Sequence, residues 1–235
     1  MIDIEVPASI KRRRGNAQPP SKRAEEIAEQ AICLFNIFGA SRFSVNRVAE
    51  ELGISPGNLH YHFRTNSDLF LTLFGRLETE IRVVLTRPKM PMTFQDLVVH
   101  QIDVQRCLWR HRYFFRDLDF LIHIDEQIFL RFLDLQDWSI QQIVDHQELY
   151  RNNFNMLPLK PPNNELEIAR NCWMMWTSWV RWEAIAGGEK EPSGEALNQI
   201  IHRLTWYHFS HHLPYIDPLT GVAIQRKLIE ILGPK

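Results

Sequence analysis

The sequence predicts an all-α chain, and three observations predict it. Apolar residues recur at three- and four-residue spacings along most of the 235 residues, as in Ile27, Ala31, Leu34, Phe35 and Phe38. Neither the two-residue alternation of a half-buried strand nor an internal repeat is present. Prolines stand at the ends of the periodic stretches or between them, where they stop helices rather than bend them. A hydrophobic content of 45% is ample for a packed core. The pattern divides into an arm (1–20), a compact three-helix module (21–66), a connecting helix with a linker (67–91) and a larger helical module (92–235).

Taken in order, residues 1–20 hold no helical period and are punctuated by Pro7, Gly15, Pro19 and Pro20, which predicts a disordered arm. Its Lys11-Arg12-Arg13-Arg14 cluster either reaches nucleic-acid phosphates or only aids solubility. Ser21 caps a helix over 22–38, ended by Gly39. Ser44 caps the next, whose face is Val45, Val48, Ala49, Leu52 and Ile54; Arg47 stands where a capping box would have Glu or Gln. Gly53 breaks that helix, and Ser55 with Pro56 at the first helical position starts another. Two short helices joined by a glycine turn form a helix-turn-helix, whose second helix enters a DNA major groove. A helix over about 67–86, with Leu69, Phe70, Leu73, Leu77, Ile81 and Val84 inward, supports the unit from the other side. Pro88 and Pro91 close the module.

Beyond it, helices are predicted over 93–109, 113–122, 126–155, 165–186 and 193–212, with a short terminal helix after Pro218. The stretch 156–163, MLPLKPPN, is a loop. Charge follows the same division. Residues 1–89 carry 13 Lys/Arg against 10 Asp/Glu, and residues 90–235 carry 14 against 18. A mildly basic front on an acidic body suits a local contact with nucleic acid. Cys33, Cys107 and Cys172 lack metal-site spacing and read as reduced core thiols. No apolar run reaches the roughly 18 residues of a membrane span and no signal segment opens the chain, so a cytoplasmic location is expected.

The second short helix has the chemistry of a reading element. Leu59 and Phe63, four apart, face the domain. Pro56, Gly57, Asn58, His60, Tyr61 and His62 are left at or near the outside. An Asn amide pairs best with adenine N6 and N7, Gly57 allows close backbone approach, and Tyr61 and the histidines can donate to phosphate oxygens. Ser44, Val45 and Asn46 begin the preceding helix, whose N–H groups favour a phosphate.

Residues 23–74 resemble the DNA-binding domain of the TetR family of one-component bacterial regulators. The likeness rests on I-A-E-Q-A-I-C-L-F, Phe38-Gly39-Ala40, S-V-N-R-V-A-E-E-L-G-I-S-P-G-N-L, Tyr61-His62-Phe63 and the stripe opened by Leu69. The resemblance implies that Ser44, Val45, Asn46, Ser55, Pro56, Gly57, Asn58, His60, Tyr61, His62 and Asn66 contact double-stranded DNA. His60 replaces the family's usual tyrosine, adding a ring that can be protonated, and Asn66 replaces a phosphate-binding lysine. It further implies a homodimer built through helices at about 165–186 and 193–212, reading a near-palindromic operator. The expected role is a repressor released by a small, largely apolar effector.

The second module offers candidates for that effector: His100, Asp103, Arg106, Phe115, Asp119 and His123, with Trp173 and Trp176 from the run Trp173, Trp176, Trp179, Trp182. The favoured reading of those tryptophans is core or subunit interface, and the alternative is an aromatic wall for a hydrophobic ligand. His208 and His212 share a helix face, but no acidic third ligand stands at a metal-site spacing, so neither metal nor cofactor is expected. Catalytic motifs such as G-x-S-x-G or HExxH are absent, which weighs against an enzyme. The competing reading is a helical ligand- or metal-binding protein, or an enzyme, that binds no operator.

Overall fold

The structure is a computed structural model that describes residues 21–86, 92–188 and 190–233. The basic cluster 11–14 and the two linker prolines lie outside those residues. Eleven α-helices are described: α1 (Lys22–Phe38), α2 (Val45–Glu51), α3 (Pro56–His62), α4 (Asn66–Leu85), α5 (Phe94–Arg110), α6 (Arg112–Arg116), α7 (Leu118–Ile124), α8 (Glu126–Phe154), α9 (Glu165–Ala186), α10 (Gly194–His212) and α11 (Pro218–Leu232). One isolated antiparallel bridge pairs Met156 with Ile216, tying the 156–163 loop to the corner between α10 and α11.

Local chemistry sets the helix ends. Ser21 Oγ accepts the Ala24 N–H at 3.2 Å, and full capping boxes at Thr65/Asp68 and Thr93/Asp96 open α4 and α5. Helix α4 therefore starts one residue before the expected Ser67, because Thr65 is the cap. The helix expected over 113–122 is two. Asp117 leaves helical geometry, and its carboxylate accepts the Ala40 N–H at 2.6 Å instead.

Helix α4 is the spine, packing on α1 in front and on α5, α7 and α8 behind. Its Phe70 meets Phe35 at 5.3 Å, and Phe35 in turn meets Phe43 at 5.5 Å and Tyr113 at 6.1 Å, so one aromatic core runs from the front module into the body. Around it lies a polar joint. The Arg116 guanidinium donates to the Phe35, Asn36 and Ile37 carbonyls at the C-terminal end of α1, where a cation also complements the helix dipole. Gly39, at φ +92°, lies so close that an added Cβ would stand 2.6 Å from Arg116 Nη2. In the body, α8 and α6 pack on α9, and α10 packs on α5 and α9.

One expectation about the thiols is corrected. Cys172 is fully buried, but Cys107 is half-buried and Cys33 is exposed. On α1 the inward face is Ile27, Ala28, Ala31 and Phe35, and position 33 falls outside it.

Candidate nucleic-acid interface

Helices α2 and α3 are held by their own short-range chemistry. Gly53, at φ +64°, makes the turn, with Gly53 N–H donating to Glu50 O at 3.1 Å and Ile54 N–H to Ala49 O at 3.0 Å. Ser55 Oγ caps α3 by accepting the Asn58 N–H at 3.2 Å. Leu59 is fully buried and Phe63 nearly so, which fixes the rotation of α3 about its axis. That rotation leaves Ser55, Pro56, Gly57, Asn58, His60 and Tyr61 exposed. Tyr61 is 83% exposed, an extent that no packing role explains.

Other positions have duties inside the module. His60 bridges the two helices: one ring nitrogen lies 3.0 Å from Asn46 Oδ1 and the other 3.2 Å from the Arg64 carbonyl. His62 is half-buried, its Nδ1 3.5 Å from Ser21 Oγ. Two expectations need correction. The Val45 side chain is buried, only 4% exposed, because it points into the three-helix core. Asn66 turns its amide oxygen inward. Its Oδ1 accepts the Val45 N–H at 2.7 Å, capping the first turn of α2 that lacks a capping box. Ser44 Oγ takes the Arg47 N–H at 3.3 Å, and among the described residues no hydrogen bond engages the Asn46 N–H between these two capped positions.

In the sequence Arg47 signals only a departure from a capping box. It is exposed, its guanidinium lies 5.1 Å over the Phe43 ring, and it lines a shallow concavity with Ser44, Asn46, Glu50, Ile54 and Pro56. Its guanidinium also donates to the Arg42 carbonyl at 3.2 Å, which holds a cation beside the start of α2, a placement that helical periodicity does not reveal.

The candidates in the body do not converge as a set. His100 is half-buried, its ring 5.3 Å from that of His146. Asp103 and Arg106 follow at steps of three, each step drifting some 60° off the buried face, and form an exposed pair at 3.7 Å. Asp119 and His123 also face outward, since α7 buries only Leu121. Phe115 is core. The tryptophan run divides: Trp173 and Trp176 are buried, Trp179 stacks on Tyr207 at 4.2 Å, and Trp182 is 62% exposed. Sequence pattern does not reveal the buried polar residues Gln101, Gln105, Ser139 and Gln147; Gln147 donates to the Glu165 carbonyl at 2.9 Å, and neither amide atom of Gln105 has a partner among the described residues.

A two-helix reading unit with an exposed polar face, carried on a helical body, defines a helix-turn-helix DNA-binding protein. Comparison with known proteins narrows the class. Residues 27–73 match the family described as bacterial regulatory proteins of the tetR family, and residues 76–219 match a family described as bacterial transcriptional repressor. The chain belongs to the TetR family of transcriptional regulators. An HTH-type transcriptional regulator of Staphylococcus aureus is 45% identical over 56 residues, 24% of this chain and 29% of the relative's length. Among solved structures, a TetR-family regulator from Marinobacter aquaeolei superposes with a TM-score of 0.76 at 23% identity, covering 91% of this chain and 100% of that one. A TetR-family regulator from Thermus thermophilus, PfmR, gives 0.56 at 18% identity, covering 79% and 96%. Among the described residues no helix is long and apolar enough to cross a membrane.

Proposed function

We propose that this chain is a homodimeric repressor, not an enzyme, that reads a near-palindromic operator with α3 and releases it when a small effector enters the body. The observation that carries the reading is the outward face of α3, where Asn58 and Tyr61 stand open while Leu59 and Phe63 lock the helix behind them. Asn58 reads a base edge, Tyr61, Arg47 and the Asn46 N–H hold phosphates, and Gly57 lets the backbone come close.

The dimer is supported by an exposed stripe on α9. Met174, Trp182 and Ile185 are 63%, 62% and 54% exposed and recur on one helical face, which a second copy of α9 and α10 would cover. The effector is apolar over most of its body and carries hydrogen-bonding groups, as unpartnered Gln105 and Ser139 would otherwise each weaken the core by about 1–3 kcal/mol. Coupling runs through the joint. Helix α6 packs on α9, and its Arg116 holds the last carbonyls of α1, so a shift of α6 moves the reading module.

Footprinting of the DNA upstream of the gene tests this. Protection of two half-sites about one helical turn apart is expected, weakened by Asn58→Ala with the dimer unchanged in sedimentation. Equal affinity of Asn58→Ala and the native chain would remove α3 from the reading face.

A further inference from the structure

We propose that Cys172, His208 and His212 form a binding site for a soft transition-metal ion, monovalent copper by charge balance, which pins α9 to α10. One donor atom from each residue lies within 4.8 Å of the other two, and all three residues are buried. Two helices supply them, so the spacing of His208 and His212 in sequence shows only part of the set; the third ligand is a thiol 36 residues upstream.

One donor pair already stands at the spacing coordination needs, and the third donor lies within reach of both. Metal–nitrogen and metal–sulfur bonds of about 2.0 and 2.3 Å place donors roughly 3.5–3.8 Å apart, and Cys172 Sγ stands 3.7 Å from His208 Nδ1. His212 faces a carbonyl with its other nitrogen: Nδ1–H donates to His208 O at 3.0 Å. That bond fixes the tautomer, leaving a lone pair on Nε2, and Nε2 is buried without a partner in a residue only 2% exposed. A ring nitrogen oriented by a backbone carbonyl behind it is how metal-ligating histidines are held. His208 Nδ1 now accepts the Trp176 indole N–H at 3.3 Å, and this bond gives way when an ion arrives. His211 is half-buried, its ring 5.1 Å from that of His212, so the site lies one residue from partly exposed surface.

Charge selects the ion. All three side chains are buried, so a net charge left on the occupied site would sit in the core, and an ordinary thiol carries its proton at neutral pH. On binding, the S–H bond breaks, its proton leaves to solvent, and the sulfur pair forms the S–metal bond while each imidazole donates a lone pair. One thiolate with a monovalent ion leaves no net charge in the core. A divalent ion leaves one positive charge there, which burial disfavours. Thiolate and imidazole also suit copper in its soft, monovalent state.

The test uses the full-length, reduced, metal-free protein, titrated without DNA under anaerobic conditions with Cu(I) against a chromophoric chelator, and separately with Zn(II). One copper per chain is expected, with a near-ultraviolet thiolate-to-metal band, quenching of tryptophan emission and a raised Tm. Cys172→Ser and His212→Asn should each weaken binding by more than about 100-fold, while Cys33→Ser and Cys107→Ser leave it unchanged. Trp176→Phe removes the competing donor and should bind copper at least as tightly as the native chain, which keeps the test sharp if Cys172→Ser fails to fold. Absence of stoichiometric copper, or copper retained by folded Cys172→Ser, would overturn the site. Zinc bound in preference to copper would overturn the choice of ion. Metal uptake is read apart from operator binding, so failure of either leaves the other standing.

Discussion

Between Ser21 and Leu85 the one buried polar side chain, Asn36, uses both ends of its amide: Nδ2 donates to Arg110 O at 2.8 Å and Oδ1 accepts the Tyr113 N–H at 3.0 Å. Between His100 and His212, by contrast, Gln101, Gln105, Ser139, Gln147, His208 and His212 each bury at least one side-chain polar atom without a partner. A module whose polar groups are all matched has one stable arrangement, as suits an element that must meet DNA in a fixed register. A body with unmatched groups would gain from a guest that satisfied them, which is why the proposed effector is placed there. The reading end is rigid chemistry and the body is responsive chemistry.

The largest effect that would sharpen this contrast is Leu59→Ala. Removing a fully buried side chain from so small a core should cost about 3 kcal/mol in a urea melt. Tyr61→Ala, two residues on, should change stability by less than about 0.5 kcal/mol yet weaken operator binding tenfold or more by fluorescence anisotropy. A Tyr61→Ala protein as unstable as Leu59→Ala would break the assignment of an outward face.

The buried histidines of the body should make its stability fall in acid. Burial lowers the His212 pKa to about 4 from an ordinary 6.5, and holds that of His208 well below its usual range. The unfolded chain then takes up protons near pH 6.5 that the folded chain refuses until about pH 4. Stability is full above pH 6.5 and falls as pH drops toward 4, by on the order of 3 kcal/mol for His212 alone. All seven tryptophans lie between Trp109 and Trp206, so their emission reports the body. His212→Asn should flatten the loss; an unchanged pH profile would contradict the assignment.

Smaller effects test the joint and the caps. Gly39→Ala forces a Cβ against Arg116 and a positive φ on an L-residue, and should cost about 2 kcal/mol by thermal melting. It should also blunt the effector's influence on DNA affinity, because Arg116 loses its grip on α1. Asn66→Ala removes the acceptor for the Val45 N–H and should cost about 1 kcal/mol.

Much of the fold was legible because its signals are local. Ser21, Ser55 and Gly53 announce helix ends by chemistry within three residues of themselves, and the inward pair Leu59 and Phe63 follows from one helical turn. What escaped depends on distant partners. Asn66 caps a helix that starts 21 residues earlier, Asp117 breaks a helix to reach Ala40, and Cys172 meets His208 across two helices. The outward drift of Asp103 and Arg106 was calculable from the helical period, but which face of α5 is buried depends on where α10 and α4 pack.

The most direct test of two coupled reading helices is a spacing experiment on the operator. Affinity is measured by anisotropy for the native site and for one with about five base pairs, half a helical turn, inserted between the half-sites. Paired α3 helices held by one dimer predict that the insertion abolishes tight binding and leaves only weak, salt-sensitive contact. Equal affinity for both sites would contradict a rigid dimer reading through α3.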